Sequence, residues 1–406
     1  MNKVGSVAAR AHRADYVLAL TIFILLAIGL VVIYSISPIL SQKLTGNADR
    51  NYYFLNQIKY IGLGLVVWIT TAAIRYDFWK KYATYLLGIS IIGLFALLLP
   101  GISRASHGAT RWIDIGPFSI QPAEVMKVAL ILYLAAWFEK RSDDIKSFWD
   151  GVIPFAIMVG LASFVIVVFQ RDMGTMLVLA GAATAMYFTA GIRWTHLTLL
   201  LGAGLAAGLA AIVAFPHRIS RVLTFLDPTK DASGSGYHIN QALIAIGSGG
   251  ILGVGLGRSI QVYGYLPEAA NDSIFAIIAE EFGLIGSLII VGLFGYVVYR
   301  GFRVAQAAPD TFARLTATGI SAWFGLQAAI NIGAMLSLVP LTGIPLPWIS
   351  YGGTSLIISM FGAGILLNIS KYTQREESHA NRSQRRGDSR AYNANPSYQR
   401  RVKVAR

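Results

Sequence analysis

Runs of about twenty apolar residues recur along this chain, separated by short polar stretches. At 1.5 Å per helical residue, a run of that length crosses a hydrocarbon core of about 30 Å. The runs do not alternate polar and apolar with period two, which excludes the strands of a membrane barrel. Ten spans are expected, at about 16–35, 57–74, 82–99, 122–138, 152–169, 173–189, 196–214, 274–299, 315–337 and 353–370. The first run is long enough to span and lacks a small-residue cleavage site, so it is read as a helix and not as a signal peptide. The expected fold is an all-α polytopic membrane protein with ten transmembrane helices.

Two connections are long, 100–121 and 215–273, the second lying between helices 7 and 8. Within it, Asn240 to Leu256 is apolar and rich in glycine but too short and too broken to span. That pattern predicts an amphipathic or re-entrant segment against the membrane, with Gly247, Gly249, Gly250, Gly253 and Gly255 permitting a tight backbone path.

Composition agrees. Of 406 residues, 55% are hydrophobic and 13% charged, against about 25% charged in a soluble domain. Mean hydropathy is +0.57. With no cysteine, disulfides, thiolate nucleophiles and cysteine-bound metals are excluded. The net charge of +14 is uneven: Lys371 to Arg406 carries ten Lys/Arg against three Asp/Glu. Such a tail cannot bury enough apolar surface to fold, and a membrane tether makes nucleic acid an unsuitable partner for it. Three units follow: a cytoplasmic N-terminal tail 1–14, a transmembrane domain 15–371, and a disordered basic tail 372–406. An even number of spans puts both termini on one side. Arg75, Lys80, Lys81, Lys140, Arg141, Lys146, Arg193, Arg300, Arg303 and Arg314 fall in connections on that side, and the positive-inside rule makes it the cytoplasm. The opposite loops carry Arg104, Arg111, Arg218, Arg221, Lys230 and Arg258, a surface suited to anions.

The candidate chemistry lies in those outer loops. Tyr263 to Gly283 places Glu268, Asp272, Glu280 and Glu281 where a polar loop becomes an apolar helix. Carboxylates near bilayer depth cost about 2.5–3.5 kcal/mol each at a helix centre, so they mark a functional site, or, for Asp272, an acidic first turn complementing the helix dipole. Glu124 and Lys127 lie three apart, on one face of one helix, and can pair inside the bundle. Gln170 to Thr175 (QRDMGT) is a tight outer turn, and prolines 345 and 347 break the chain before the last span. Arginine suits a phosphate or diphosphate. A carboxylate at the same mouth suits proton abstraction from a hydroxyl or stabilisation of a developing cation. Together they describe glycosyl transfer from a lipid-diphosphate sugar.

Several motifs over residues 16–372 resemble the SEDS family (shape, elongation, division, sporulation). GATRWIDIG with QPAEVMK resembles G-[AS]-x-R-W with Q-P-[SA]-E-x-x-K. QRDMGT resembles Q-P-D-x-G-T. GYHINQALIAIGSGGILGVGLG resembles G-Y-Q-x-x-Q-S-x-x-A-x-G-S-G-G-x-x-G-x-G-L-G, and IPLPWISYGGTS resembles [LI]-P-L-P-F-[IV]-S-Y-G-G-[ST]-S. The loop GLGRSIQVYGYLPEA is closer to the division-type than to the elongation-type members. The resemblance implies a peptidoglycan glycosyltransferase that polymerises lipid II into β-1,4 glycan at the outer face of the bacterial cytoplasmic membrane, at the division septum, releasing undecaprenyl diphosphate. It implies a class B penicillin-binding protein as partner, together with other division-complex membrane proteins. The family's essential aspartate, in H-T-D-F-I-F-A, aligns with Asp272 in AANDSIFA as the catalytic base. Arg111, Glu124, Lys127, Tyr237 and Gln241 match substrate-cavity or loop positions, and Arg218, Glu268 and Glu281 are further substrate-binding candidates. One of Glu280 and Glu281 is expected to make bundle contacts and the other to line the cavity. No cofactor is demanded, but a diphosphate is itself a ligand for a divalent cation such as Mg2+. A lipid II flippase and a non-catalytic division scaffold are the alternatives.

The departures from the family pattern fall on the site. Its His-Thr before the aspartate is Ala270-Asn271 here, its following Phe is Ser273, its Pro after Gln170 is Arg171, and its Gln after Tyr237 is His238.

Overall fold

A computed structural model of the chain describes residues 11–45, 49–99, 103–106, 109–116, 118–141, 144–213, 216–227 and 234–373. The basic tail from 374 onward and Lys230 lie outside the described residues, as do residues 1–10 of the N-terminal tail.

The helices run α1 (Tyr16–Thr45), α2 (Tyr52–Ala73), α3 (Tyr76–Ala96), α4 (Pro122–Lys140), α5 (Ile153–Phe169), α6 (Met173–Thr189), α7 (Trp194–Val213), α8 (Pro216–Leu226), α9 (Ser235–Gly249), α10 (Ile274–Gln306), α11 (Thr311–Met335) and α12 (Gly353–Ser370). Apart from α8 and α9, each overlies one of the expected apolar runs. Among the described residues five segments are long and apolar enough to cross a membrane by length and composition alone, α1, α5 with the turn before it, α7, α10 and α12, and α2 with α3 passes as a bent pair. The others depart for physical reasons. Helix α4 carries Glu124, Lys127 and Glu139, and α6 has only 17 residues. Helix α11 buries Gln327 and Asn331 among other helices, where partners relieve the cost of polar groups at membrane depth. The molecule is a multi-pass helical membrane protein.

Helix α12 packs on α2, α11 on α10 and α6, and α4 on α3. The chain turns through 116° between α2 and α3. Asn368 of α12 holds that turn: its Oδ1 accepts from Tyr76 N–H (3.0 Å) and its Nδ2 donates to Ala72 O (2.8 Å). The ends of the membrane part also meet. His12 N–H donates to Lys371 O (2.8 Å), Asp15 N–H to Ser370 Oγ (3.0 Å), and Arg300 pairs with Asp15 (2.6 Å).

Two expectations need correction. The all-α fold contains a small antiparallel sheet where a loop was expected, β1 (Ser103–Ser106), β2 (Ala109–Ile115) and β3 (Phe118–Ile120), in the order β1-β2-β3. Strand β2, Ala-Thr-Arg-Trp-Ile-Asp-Ile, shows no clean polar–apolar alternation, and all three strands are short beside twenty-residue runs. The stretch 215–273 holds two helices, α8 and α9, where one amphipathic or re-entrant segment was expected at 240–256. The glycine-rich segment after α9 has a definite partner. Helix α10 is broken at Gly283 (φ 66°, ψ −163°). The backbone groups around that break pair with the segment: Val254 N–H donates to Glu280 O (2.9 Å), Gly255 N–H to Glu281 O (3.0 Å), and Leu284 N–H to Gly250 O (2.9 Å). At membrane depth, a broken helix must satisfy its freed backbone groups with protein. A Cβ at Gly283 or Gly253 would run into the facing backbone, and both have positive φ.

Candidate active site

Asp272 sits two residues before α10, at the end of a tight turn. Asn271 N–H (2.9 Å) and Ser273 N–H (3.3 Å) both donate to Glu268 O. Glu268 takes φ 49° to close the turn, a left-handed conformation uncommon outside glycine and asparagine, and its side chain accepts a hydrogen bond from Asn271 Nδ2. Two other elements grip the turn by its backbone. Asn331 of α11 donates through Nδ2 to Asp272 O (2.7 Å) and to Ile344 O (2.8 Å). Tyr351 N–H donates to Ala270 O (2.8 Å). The proline-rich stretch expected before the last span therefore lies against the acidic turn; a Cβ on Gly343 would stand 3.6 Å from Asp272 Oδ2.

The carboxylate itself is held less tightly than its backbone. Asp272 Oδ1 is buried with no hydrogen-bond partner, although the residue is partly exposed. Burial pushes its pKa up to about 7, Glu268 adds to the rise, and Arg111 and Arg221 pull against it. An unpaired buried carboxylate oxygen costs free energy, and a base poised near neutrality is what proton abstraction requires.

Two arginines supply the positive field. Arg111, on β2, donates from Nε to Gln170 O (3.0 Å) and from Nη2 to Arg171 O (3.2 Å). The turn between α5 and α6 thus aims this guanidinium. Arg171 has φ 52°, which the proline of the family pattern, locked near −65°, does not reach. Arg221, exposed on α8, lies in the field of Arg111, Asp172 and Asp272. Asp172 caps α6, accepting from Thr175 N–H (2.9 Å) and Thr175 Oγ1 (2.8 Å). Arg218 is on the same helix as Arg221, and its side chain lies outside the described residues.

The remaining candidates sit elsewhere. Glu124 and Lys127 pair at 2.8 Å with both side chains buried. Lys127 also donates to Gln327 Oε1 (2.8 Å) and faces the Trp323 ring at 5.0 Å. Gln327 in turn donates to Pro345 O (2.8 Å), so the pair supports the proline-rich stretch from below. Lys127 and Trp323 line a mainly aliphatic cleft between α4, α6 and α11 that is too narrow for water. Glu280 and Glu281 share one task, where one of them was expected to line a cavity. Glu280 accepts from Ser259 Oγ (2.5 Å) and Ile260 N–H (2.9 Å), and Glu281 accepts from Gly257 N–H (2.9 Å) and Ser35 Oγ (3.2 Å). Both carboxylates hold the turn that follows the glycine-rich segment. Tyr237 and Gln241 are half-buried on α9, four apart and so on one face.

Sequence reasoning missed Asn331. A buried amide on an apolar helix is its only signal. It placed Arg221 among the basic loop residues suited to anions but not among the site candidates.

The chain matches, over residues 16–375, the family profile FtsW/RodA/SpoVE, described as "Cell cycle protein". This chain belongs to the FtsW/RodA/SpoVE family. Among the relatives of this FtsW/RodA/SpoVE protein is "Stage V sporulation protein E" of Bacillus subtilis (strain 168), 38% identical over 361 residues, covering 89% of this chain and 98% of the relative. Another is "Probable peptidoglycan glycosyltransferase FtsW" of Trichlorobacter lovleyi, 39% identical over 364 residues, covering 89% and 94%. The fold is similar to a chain in a structure described as "Structural coordination of polymerization and crosslinking by a peptidoglycan synthase complex", with TM-score 0.72 and 27% identity over 88% of this chain and 97% of that one. It is also similar to the rod shape determining protein RodA of Thermus thermophilus, with TM-score 0.63 and 26% identity over 89% and 98%.

Proposed function

We propose that this FtsW/RodA/SpoVE protein is a peptidoglycan glycosyltransferase that polymerises lipid II during division. One observation carries the chemistry: a carboxylate with a buried, unpartnered oxygen and a pKa near neutrality, in the field of two arginines. Asp272 takes the proton from the acceptor sugar hydroxyl. The hydroxyl oxygen then bonds to the anomeric carbon of the donor, whose bond to the diphosphate breaks, and undecaprenyl diphosphate leaves with the electron pair. Arg111 and Arg221 offset the negative charge that builds on the departing diphosphate. Glu268 keeps Asp272 basic by its own negative charge. A diphosphate is itself a ligand for a divalent cation, so a Mg2+ ion in this reaction would arrive on the substrate.

The ten helices that overlie the apolar runs are the spans, with both chain ends on the cytoplasmic side and the acidic turn outside. The relatives' names and the synthase complex among the fold neighbours support pairing with a class B penicillin-binding transpeptidase at the septum.

The test is polymerisation of fluorescent lipid II by the purified protein with its transpeptidase, wild type against Asp272→Asn. Glycan strands are expected from wild type and none from the variant at equal folding. Strands from both would move the base elsewhere, Glu268 first. Lipid II transport without strands would favour a flippase.

A further inference from the structure

Two of the departures from the family pattern touch each other. His238, on α9, and Ser273, next to Asp272, are 35 residues apart in sequence, and His238 Nε2 lies 2.6 Å from Ser273 Oγ. The direction of this bond follows from the rest of the network. Ser273 Oγ donates its single proton to Pro267 O at 2.9 Å, so it must accept from His238, and Nε2 carries the hydrogen. The chain is therefore His238 Nε2–H to Ser273 Oγ–H to Pro267 O. It joins both ends of the 267–273 turn to α9.

The serine's position makes this use informative. Ser273 is the N-cap residue of α10, yet its side chain caps nothing. A serine there ordinarily accepts from a first-turn N–H, worth about 1 kcal/mol. Here that stabilisation is forgone and the fully buried hydroxyl is committed to the histidine and to Pro267. Burial, together with Arg221 and against the charge of Glu268, holds the His238 pKa below its ordinary value, which favours the neutral imidazole that a single Nε2–H donor needs.

Asp272 stands between two grips. Asn331 holds its own carbonyl from α11, and the His238–Ser273 bond holds the next residue from α9. The side chain between them has an oxygen with no partner, so nothing at that atom fixes its direction. Its aim is set by the backbone on either side.

We propose that His238 is a positioning residue for Asp272, acting through Ser273, and that histidine and serine here form a matched replacement for the glutamine and phenylalanine of the family pattern. This rests on Asp272 being the base. His238 touches neither substrate nor reacting atoms in this role. It ties the outer helix α9 to the catalytic turn.

The experiment uses the full-length protein with its transpeptidase and fluorescent lipid II. It compares wild type, Asp272→Asn, His238→Ala, His238→Gln, Ser273→Ala and the double variant His238→Ala/Ser273→Ala, with a thermal melt of each to confirm folding. Misplacing a catalytic group by about 1 Å costs on the order of a hundredfold in rate. His238→Ala and Ser273→Ala are each expected to lower kcat by about tenfold to a hundredfold with KM within about threefold. The double variant should be no worse than the worse single, because the two act through one bond. His238→Gln, whose amide N–H reaches toward the same oxygen, should recover most of kcat. An unchanged kcat in His238→Ala, a loss confined to KM, or additive losses in the double variant would overturn the tether. If the melts show that the alanine variants do not fold, the kcat of folded His238→Gln decides: recovery of the wild-type value supports the tether, and a drop as deep as that of Asp272→Asn overturns it. Strands from Asp272→Asn would instead overturn the assignment of the base, which separates the two failures.

Discussion

Asp272 is gripped by its backbone and left alone at one carboxylate oxygen, and that contrast has consequences in both rate and stability. Its pKa is raised from 3.8 to about 7, by burial first and by Glu268 second. The proposed base works ionised, so polymerisation should rise with pH, by about tenfold per unit below 7, and level off above it. A pH profile of kcat/KM that stays flat from pH 5 to 8 would contradict this. The stability effect has the opposite sign. A carboxyl whose folded pKa is raised contributes stability that is complete below about 4 and lost as pH rises through about 7. Asp272→Asn, which cannot ionise, should melt above wild type at pH 8, with the gap closing toward pH 5. A site that gains activity from a destabilised group shows the usual conflict between function and stability. Much at this scale was legible beforehand. Asp272, Arg111 and Glu268 stood out because charges are scarce in this chain. Asn331 did not, since an amide inside an apolar helix carries no sign of which carbonyl it reaches. Nor did the His238–Ser273 bond, because pairing across 35 residues is set by the fold.

At the scale of elements, the break in α10 ties the site to the outer segment. Gly283 interrupts the helix nine residues after its start, and the backbone of residues 250–255 alongside it takes up the freed hydrogen-bonding groups. Gly283→Ala should destabilise the protein by roughly 1–3 kcal/mol, from a positive φ, and by more if the facing backbone at Gly253 cannot move. A thermal melt in detergent checks this; a wild-type melting temperature would show that the break is not required. The helical runs themselves were readable because each apolar stretch must span or be buried. The sheet at 103–120 was not, because three strands of three to seven residues carry little periodicity. Their order is imposed by the helix ends they meet: Thr354 Oγ1 at the start of α12 donates to Ser119 O (2.7 Å) and accepts from Gln121 N–H (3.3 Å).

For the whole molecule, the meeting of His12 and Asp15 with residues 370–373 puts the two ends of the membrane part on one face. The acidic turn belongs to the other face if the helices cross as proposed. The chain has no cysteine, so single cysteines report sidedness directly. A membrane-impermeant maleimide applied to intact cells should label Tyr265→Cys and should leave Ala11→Cys unlabelled until the membrane is opened. The reverse pattern would invert the orientation.

What the amino-acid sequence determined by itself was a multi-pass helical membrane protein, the stretches of chain that form its apolar helices, and the few charged residues set among them, Asp272 included. These follow from local composition, because burying a charge or exposing an apolar run is costly wherever it occurs. The tertiary structure decided the rest. It set Glu280 and Glu281, of which one was expected in the bundle and the other at the cavity, together on one turn, and brought Arg221, Asn331 and His238 toward Asp272 from three different helices. Those choices depend on distances between residues far apart in the chain, and only packing sets such distances.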